Sequence, residues 1–368
     1  METVEKQVLV SSQKQTVVIP FSFTHIPLKK LALINFKKNA DSKYLGLEPQ
    51  YLDDKVIGKG YRVIAYRNDG YVDVYDDMSL NDNKDDSFDV TGKGLCERVK
   101  VEIKNTRFEK VDNRVFISFQ FTDKYRRSID VSIVENSTKK TKGLNLLAPV
   151  GSSTKNPSYL PLFFLYNFDF VRKYNTTFQI HIDGNTIKAA NFPVPMPKDF
   201  QWRSYTRYSD DCQIIEFANE TIGVLEEFIP NDNGKVVRDD GLEYDFSECG
   251  CLNKIALNQG NHPLTVVFTN GFPDVRSVSE DKVYKDTFEI SGEIEMGVVS
   301  GDYSVKRDEN RVTIELFPNG GWKPKPDSPF TKLLFKEKSI FCSWPKTYKY
   351  TQVVDLTTLE SSSNWVKI

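Results

Sequence analysis

Short runs in which apolar and polar residues alternate recur from one end of the chain to the other, and they predict strands rather than helices. Val8–Val10, Thr16–Ile19 and Leu31–Ile34 open the series. Tyr61–Arg67 and Tyr71–Tyr75 flank Asn68-Asp69-Gly70, where the Asp-Gly pair supplies the positive φ that a tight hairpin needs. Arg98–Ile103, Arg114–Phe121, Ser128–Val134 and Thr177–Ile182 continue the pattern, the last turning at Asp183-Gly184. Beyond Trp202–Tyr208 and Gln213–Phe217, the turn signals Asp232-Asn233-Gly234 and Asp239-Asp240-Gly241 lead into strand-like segments that run to Val354. No segment keeps apolar residues at three-and-four spacing over three turns with caps at both ends. The best helical candidates, Asn156–Leu165 and Ser328–Lys336, both contain or adjoin prolines.

The expected fold is all-β, built as two consecutive antiparallel β-barrel-like or β-sandwich units with few short helices. Its texture is that of a tandem of lipocalin-like barrels, an analogy of fold that carries no function. The three alternating prolines Pro193, Pro195 and Pro197 favour an extended connector, which divides the chain into domains 1–197 and 198–368. A second candidate boundary is the turn-rich stretch Asn231–Gly241.

Composition narrows the function classes. The chain has 368 residues, 27% of them charged and 12% aromatic, which is a globular composition with enough length for a core without disulfide staples. A net charge of −2 and scattered lysines give no basic stripe, so no nucleic-acid partner is expected. The start Met1-Glu2-Thr3-Val4-Glu5-Lys6 is not that of a secretory leader, and the longest apolar run, Leu160–Tyr166, is too short to span a bilayer. Five cysteines without a framework pattern fit a reduced, cytoplasmic setting. Cys249-Gly250-Cys251 is the one suggestive pair, able to hold a soft metal or do redox chemistry but lacking a second ligand pair. Phosphate loops, zinc motifs and nucleophile elbows are missing, so no cofactor and no metal are expected. His25, His181 and His262 read as structural or surface residues, and the acidic segment Asp82, Asp85, Asp86 and Asp89, which lacks the central Gly and terminal Glu of a calcium loop, as a solvated loop.

Three constellations remain. In Phe288–Met296, alternation places Glu289, Glu293 and Glu295 on one strand face, with neighbours roughly 6.6–7 Å apart. Such spacing suits a catalytic carboxylate pair, Glu293 with Glu295, in a glycosidase, and equally a solvated strand face. Arg203, Tyr205 and Arg207 line one face of Trp202–Tyr208 and, turned into a barrel or cleft, would anchor a carboxylate, phosphate or sugar. Trp322, Trp344 and Tyr348 form either the wall of an apolar or sugar-stacking pocket or a lid on the core.

The leading expectation is binding of a small apolar or amphipathic molecule, lipid-like or sugar, in a barrel or an inter-domain cleft, with or without an isomerase- or hydratase-type activity. The alternatives are a carbohydrate-active hydrolase using paired carboxylates and an interaction module without a small-molecule site.

Overall fold

A computed structural model of the chain describes residues 16–26, 28–54, 57–82, 89–90, 93–138, 142–148, 157–192, 203–257, 262–336 and 344–368. About 64% is strand and almost none is helix, so the fold is all-β. The single α-helix among the described residues, Pro329–Leu334, falls in one of the two segments with helical signals. Ser328 caps it by accepting from the Thr331 amide, while the Thr331 hydroxyl accepts from the Ser328 amide and Pro329 fills the first turn. The other segment becomes strand Leu160–Arg172. Its run Leu160–Tyr166 is buried at six of seven positions, the signature of a strand covered on both faces rather than of one side of a helix.

The second half of the chain is an antiparallel meander. Lys235–Val237, Leu242–Phe246, Leu252–Leu257, Leu264–Phe272, Val283–Ser291, Val298–Asp308, Arg311–Lys323, Tyr348–Asp355 and Glu360–Lys367 each pair with the next. Ile222–Val224 pairs with the last and completes a ten-stranded sheet. The predicted turn at Asp232-Asn233-Gly234 leads into the first of these strands, with Gly234 at φ 74° and no room for a Cβ beside the Phe246 carbonyl. Between the two edge strands lie only the residues from Val224 to Lys235, which reach at most roughly 40 Å when extended. Ten strands laid flat would hold their edges about 43 Å apart, so this sheet has to curl.

The several sheets together include a curled half-barrel, and an eleven-stranded sheet occupies the first half. Its centre is a set of long runs. Phe23–Ile26 and Leu28–Asn35 are separated by one residue, as are Arg203–Ser209 and Asp211–Phe217. Both halves of the second run pair with Leu160–Arg172, from Leu160 opposite Phe217 to Arg172 opposite Arg203. The same run pairs on its other side with the first, Phe217 with Phe23 and Thr206 with Ile34. The sheet continues from Leu28–Asn35 through Tyr44–Asp54, Gly58–Arg67 and Val72–Asp77 to the parallel strand Lys93–Val101.

Each long run serves two cores. Phe164, Tyr166, Ile214 and Phe217 pack into the core of the C-terminal meander. Val171, Tyr208, Ala32 and Ile34, further along the same runs, pack against a five-stranded sheet. That sheet comprises Lys104–Val111, Arg114–Thr122, Ser128–Glu135, Thr176–Ile182 and Asn185–Thr186. The boundary expected at residues 197 and 198 lies in the undescribed stretch 193–202. Hydrogen-bonded ladders join residues on either side of it, and the strands leave the first large sheet for the meander after Phe217.

The interior of the meander is occupied by side chains. Phe21 enters it from the first sheet's end of the chain, with ring centroids 5.1 Å from Phe272, 5.8 Å from Phe268 and 5.9 Å from Phe217. The neighbouring Pro20 carbonyl accepts from Nε2 of the buried Gln352 at 2.8 Å. Truncation of Phe21 to Ala therefore opens a cavity between the two sheets. It is expected to cost about 3–5 kcal/mol, read as a lower urea midpoint with an unchanged m-value. A shift within about 0.5 kcal/mol would show that this residue is not part of the shared core.

Candidate functional site

The most concentrated polar arrangement where the two large sheets meet centres on His262. The residue stands one position before Pro263 at the entry to strand Leu264–Phe272. Glu293 follows strand Val283–Ser291 and immediately precedes the short 3₁₀ turn Ile294–Met296, without a capping hydrogen bond from its side chain. Gly292 lets this turn approach the first sheet, since a Cβ there would lie 2.8 Å from the Phe164 ring. From the opposite side come Asp211, at the bend of its long run, and its cross-strand partner Tyr166.

His262 Nδ1 lies 2.7 Å from Glu293 Oε1 and Nε2 lies 2.6 Å from Asp211 Oδ2. The ring stacks on Tyr166 with centroids 3.4 Å apart and an interplanar angle of 11°. A histidine with a carboxylate at each nitrogen is satisfied when both nitrogens carry a proton, so this geometry selects the imidazolium. Burial acts against the charge, but hydrogen bonds to Asp211 and Glu293 and their negative charges outweigh it and raise the His262 pKa. Burial, followed by the charges of Glu293 and Asp211, pushes the Tyr166 phenol up as well. In this state neither ring nitrogen has a lone pair free to take a proton from a substrate. The arrangement is a charge clamp between two sheets.

The sequence-predicted residues are dispersed around it. Glu293 reaches the clamp, but Glu295 does not share a strand face with it, because the strand ends at Ser291 and Gly292 turns the chain. Glu295 is exposed on the 3₁₀ turn, and Ile294, expected on the apolar face, is exposed too. Glu289 is exposed on the strand itself. Trp322, Trp344 and Tyr348 are all buried in the meander's core. Trp322 Nε1 donates to the Met296 carbonyl at 2.9 Å, and its ring packs edge-on against Phe335. Of these alternatives, the described geometry of the three is that of a core lid. Trp202 and the side chains of Arg203 and Tyr205 lie outside the described residues. Arg207 is partly buried, opposite Leu33 and Phe170. Asp76 is a buried ion-pair partner of Arg62 and Arg98. In the acidic segment expected as a solvated loop, Asp82 is exposed, Asp89 pairs with Gly94 in a two-residue strand, and Asp85 and Asp86 lie outside the described residues.

A second polar group is one that alternation concealed. Glu48, Gln50 and Tyr66 are buried on neighbouring strands of the first large sheet. Glu48 accepts from the Tyr66 hydroxyl and from Gln50 Nε2, the latter at 2.8 Å. Burial raises the Glu48 pKa against the opposing effect of Tyr66, Gln50 and the Arg207 guanidinium. In the sequence, polar residues at every second position of Glu48-Pro49-Gln50 look like a solvated strand face. The only available signal was their place within the apolar run Tyr44–Leu52.

Among the described residues, no group of three or more His, Cys, Asp and Glu side chains is placed to hold a metal ion. No helix among them is long and apolar enough to cross a membrane. Comparison with known proteins finds no matching family model, no matching curated protein and no matching solved structure.

The clamp has a pH signature. Because the folded His262 pKa is raised, its contribution to stability is complete below the unfolded value of about 6.5 and is lost as pH rises through the folded value. The urea midpoint of the wild type should therefore fall more between about pH 6 and about pH 9 than that of His262→Gln. Parallel pH profiles for the two proteins would show that His262 is not held as the cation.

Proposed function

We propose that the protein binds a small amphipathic molecule against the sheet face bearing Glu48, Gln50, Tyr66 and Arg207. The observation that carries this is a buried carboxyl group with a raised pKa, bonded by a phenol and an amide and faced by a guanidinium. Around it stand buried Ile64, Val72 and Val74, with Leu33 and Leu95 packed against them. A few convergent polar groups in an otherwise apolar wall is the usual make-up of a small-molecule site, and perturbed carboxyl groups concentrate at such sites. The face is distinct from the core of the meander, where Phe21, Phe268, Phe272 and Tyr350 pack on one another.

Of the expected ligand anchors, Arg207 belongs to this proposal. Trp322, Trp344 and Tyr348 have a packing role in it. The ligand class is lipid-like, with an acidic or hydroxylated head for the guanidinium and carboxyl, and the setting is cytoplasmic. A carbohydrate-active hydrolase is less favoured, because Glu293 is engaged by His262 while Glu295 faces solvent.

Native mass spectrometry of the purified chain, followed by a thermal-shift series of long-chain acids, alcohols and neutral sugars, tests the proposal. The expected result is a bound mass or an upward shift with amphipathic acids. Arg207→Met should weaken the effect by about tenfold or more, the worth of one charged hydrogen bond. No bound mass together with no shift from any compound overturns the proposal, as does a shift that Arg207→Met and Glu48→Gln leave unchanged.

A further inference from the structure

Away from both polar groups, the hairpin joining Leu242–Phe246 to Leu252–Leu257 carries Cys249-Gly250-Cys251. The Gly250 amide donates to the Ser247 carbonyl and the Ser247 amide to the Cys251 carbonyl, both at 2.9 Å. Gly250, at φ 77°, takes the left-handed conformation that closes this turn. The two thiols meet as a result, with Cys249 Sγ 3.4 Å from Cys251 Sγ and 3.0 Å from Ser247 Oγ. Cys249 is exposed, while Cys251 is partly buried and its amide donates to Ser247 Oγ.

We propose that Cys249 and Cys251 form a redox-active dithiol that exchanges with small-molecule disulfides. The sulfur separation has only to close to about 2.0 Å for a bond to form, and the turn already holds both side chains on one side. The roles are asymmetric. The Ser247 hydroxyl and then the Cys251 thiol beside it lower the Cys249 pKa, while burial and the neighbouring Cys249 raise that of Cys251. An exposed thiolate with a less acidic partner in reach is the arrangement of an attacking and a resolving cysteine.

In the first step Cys249 thiolate attacks one sulfur of a disulfide such as oxidised glutathione. The disulfide's S–S bond breaks, a mixed disulfide forms on Cys249, and the released thiolate takes up a proton. Cys251 then loses its proton and attacks Cys249 Sγ, forming the intramolecular bond and expelling the second thiol. Two electrons pass from the cysteine pair to the disulfide, and the two cysteine protons are matched by two thiols released.

The test equilibrates the whole chain with mixtures of reduced and oxidised glutathione, alkylates the free thiols and maps the peptides by mass spectrometry. The expected result is concerted loss of both alkylation sites from the peptide carrying Cys249 and Cys251 as the mixture becomes oxidising. Cys251→Ser should retain glutathione on Cys249, and in Cys249→Ser the remaining Cys251 should react about tenfold more slowly than Cys249 does. A peptide that keeps two alkyl groups in the most oxidising mixture overturns the proposal. So does one that carries two glutathiones, or a disulfide that joins either residue to Cys96.

Discussion

Everything in this structure depends on three long, mutually hydrogen-bonded runs that pass from one hydrophobic core into the other. Residues 23–35, 203–217 and 160–172 satisfy one another's backbone groups along most of their length. A buried strand must find such partners, because an unpaired amide in a core forfeits its hydrogen bond with water. Once paired, the three runs cannot belong to separate units. One end of each run packs into the meander's core, with Phe164 and Phe217, and the other end covers the five-stranded sheet, with Ile34 and Val171. Phe21 and Gln352 tie the start of the described chain into the same arrangement.

That constraint also determines where charges converge. At the bend of the middle run, Asp211 is carried to the boundary between sheets, where the loops bearing His262 and Glu293 meet it. Two carboxylates brought together there would repel, and an imidazolium between them removes the conflict. The set is only partly buried, with the Asp211 side chain 41% exposed, so its net contribution to stability is modest. Glu48 is the complementary case. It is surrounded by apolar residues, and burial outweighs the help of its phenol, amide and guanidinium neighbours. One carboxylate is thus held beside a cation and another is pushed toward its neutral form, both on strands that read alike in sequence.

Much of the fold was legible in the alternation. The hairpin at Asn68–Gly70 and the turns at Gly184, Gly234 and Gly241 are where Asp-Gly and Asn-Gly pairs placed them. Less of the site could be read. Glu293 was visible as a carboxylate of interest, but its partner proved to be His262, 31 residues away, and then Asp211, 51 residues from that histidine. Glu295 was misplaced because alternation was carried past Ser291, where Gly292 ends the strand. Cys96 and Cys212 both stand in strands, yet Cys96 is exposed and Cys212 buried. Cys342 lies outside the described residues.

The sequence by itself determined local matters: which segments are strands, where most of the tight turns fall, and that Ser328–Lys336 carries a helical signal. These follow from residues a few positions apart, through φ preferences, side-chain alternation and capping hydrogen bonds. Only the tertiary structure decided that residues 23–35, 160–172 and 203–217 pair with one another, and that Asp211, His262 and Glu293 converge while Trp322 and Trp344 enter the core. Alternation says which side chains share a face, but whether that face meets water, a second sheet or a ligand depends on strand pairing between residues more than a hundred positions apart.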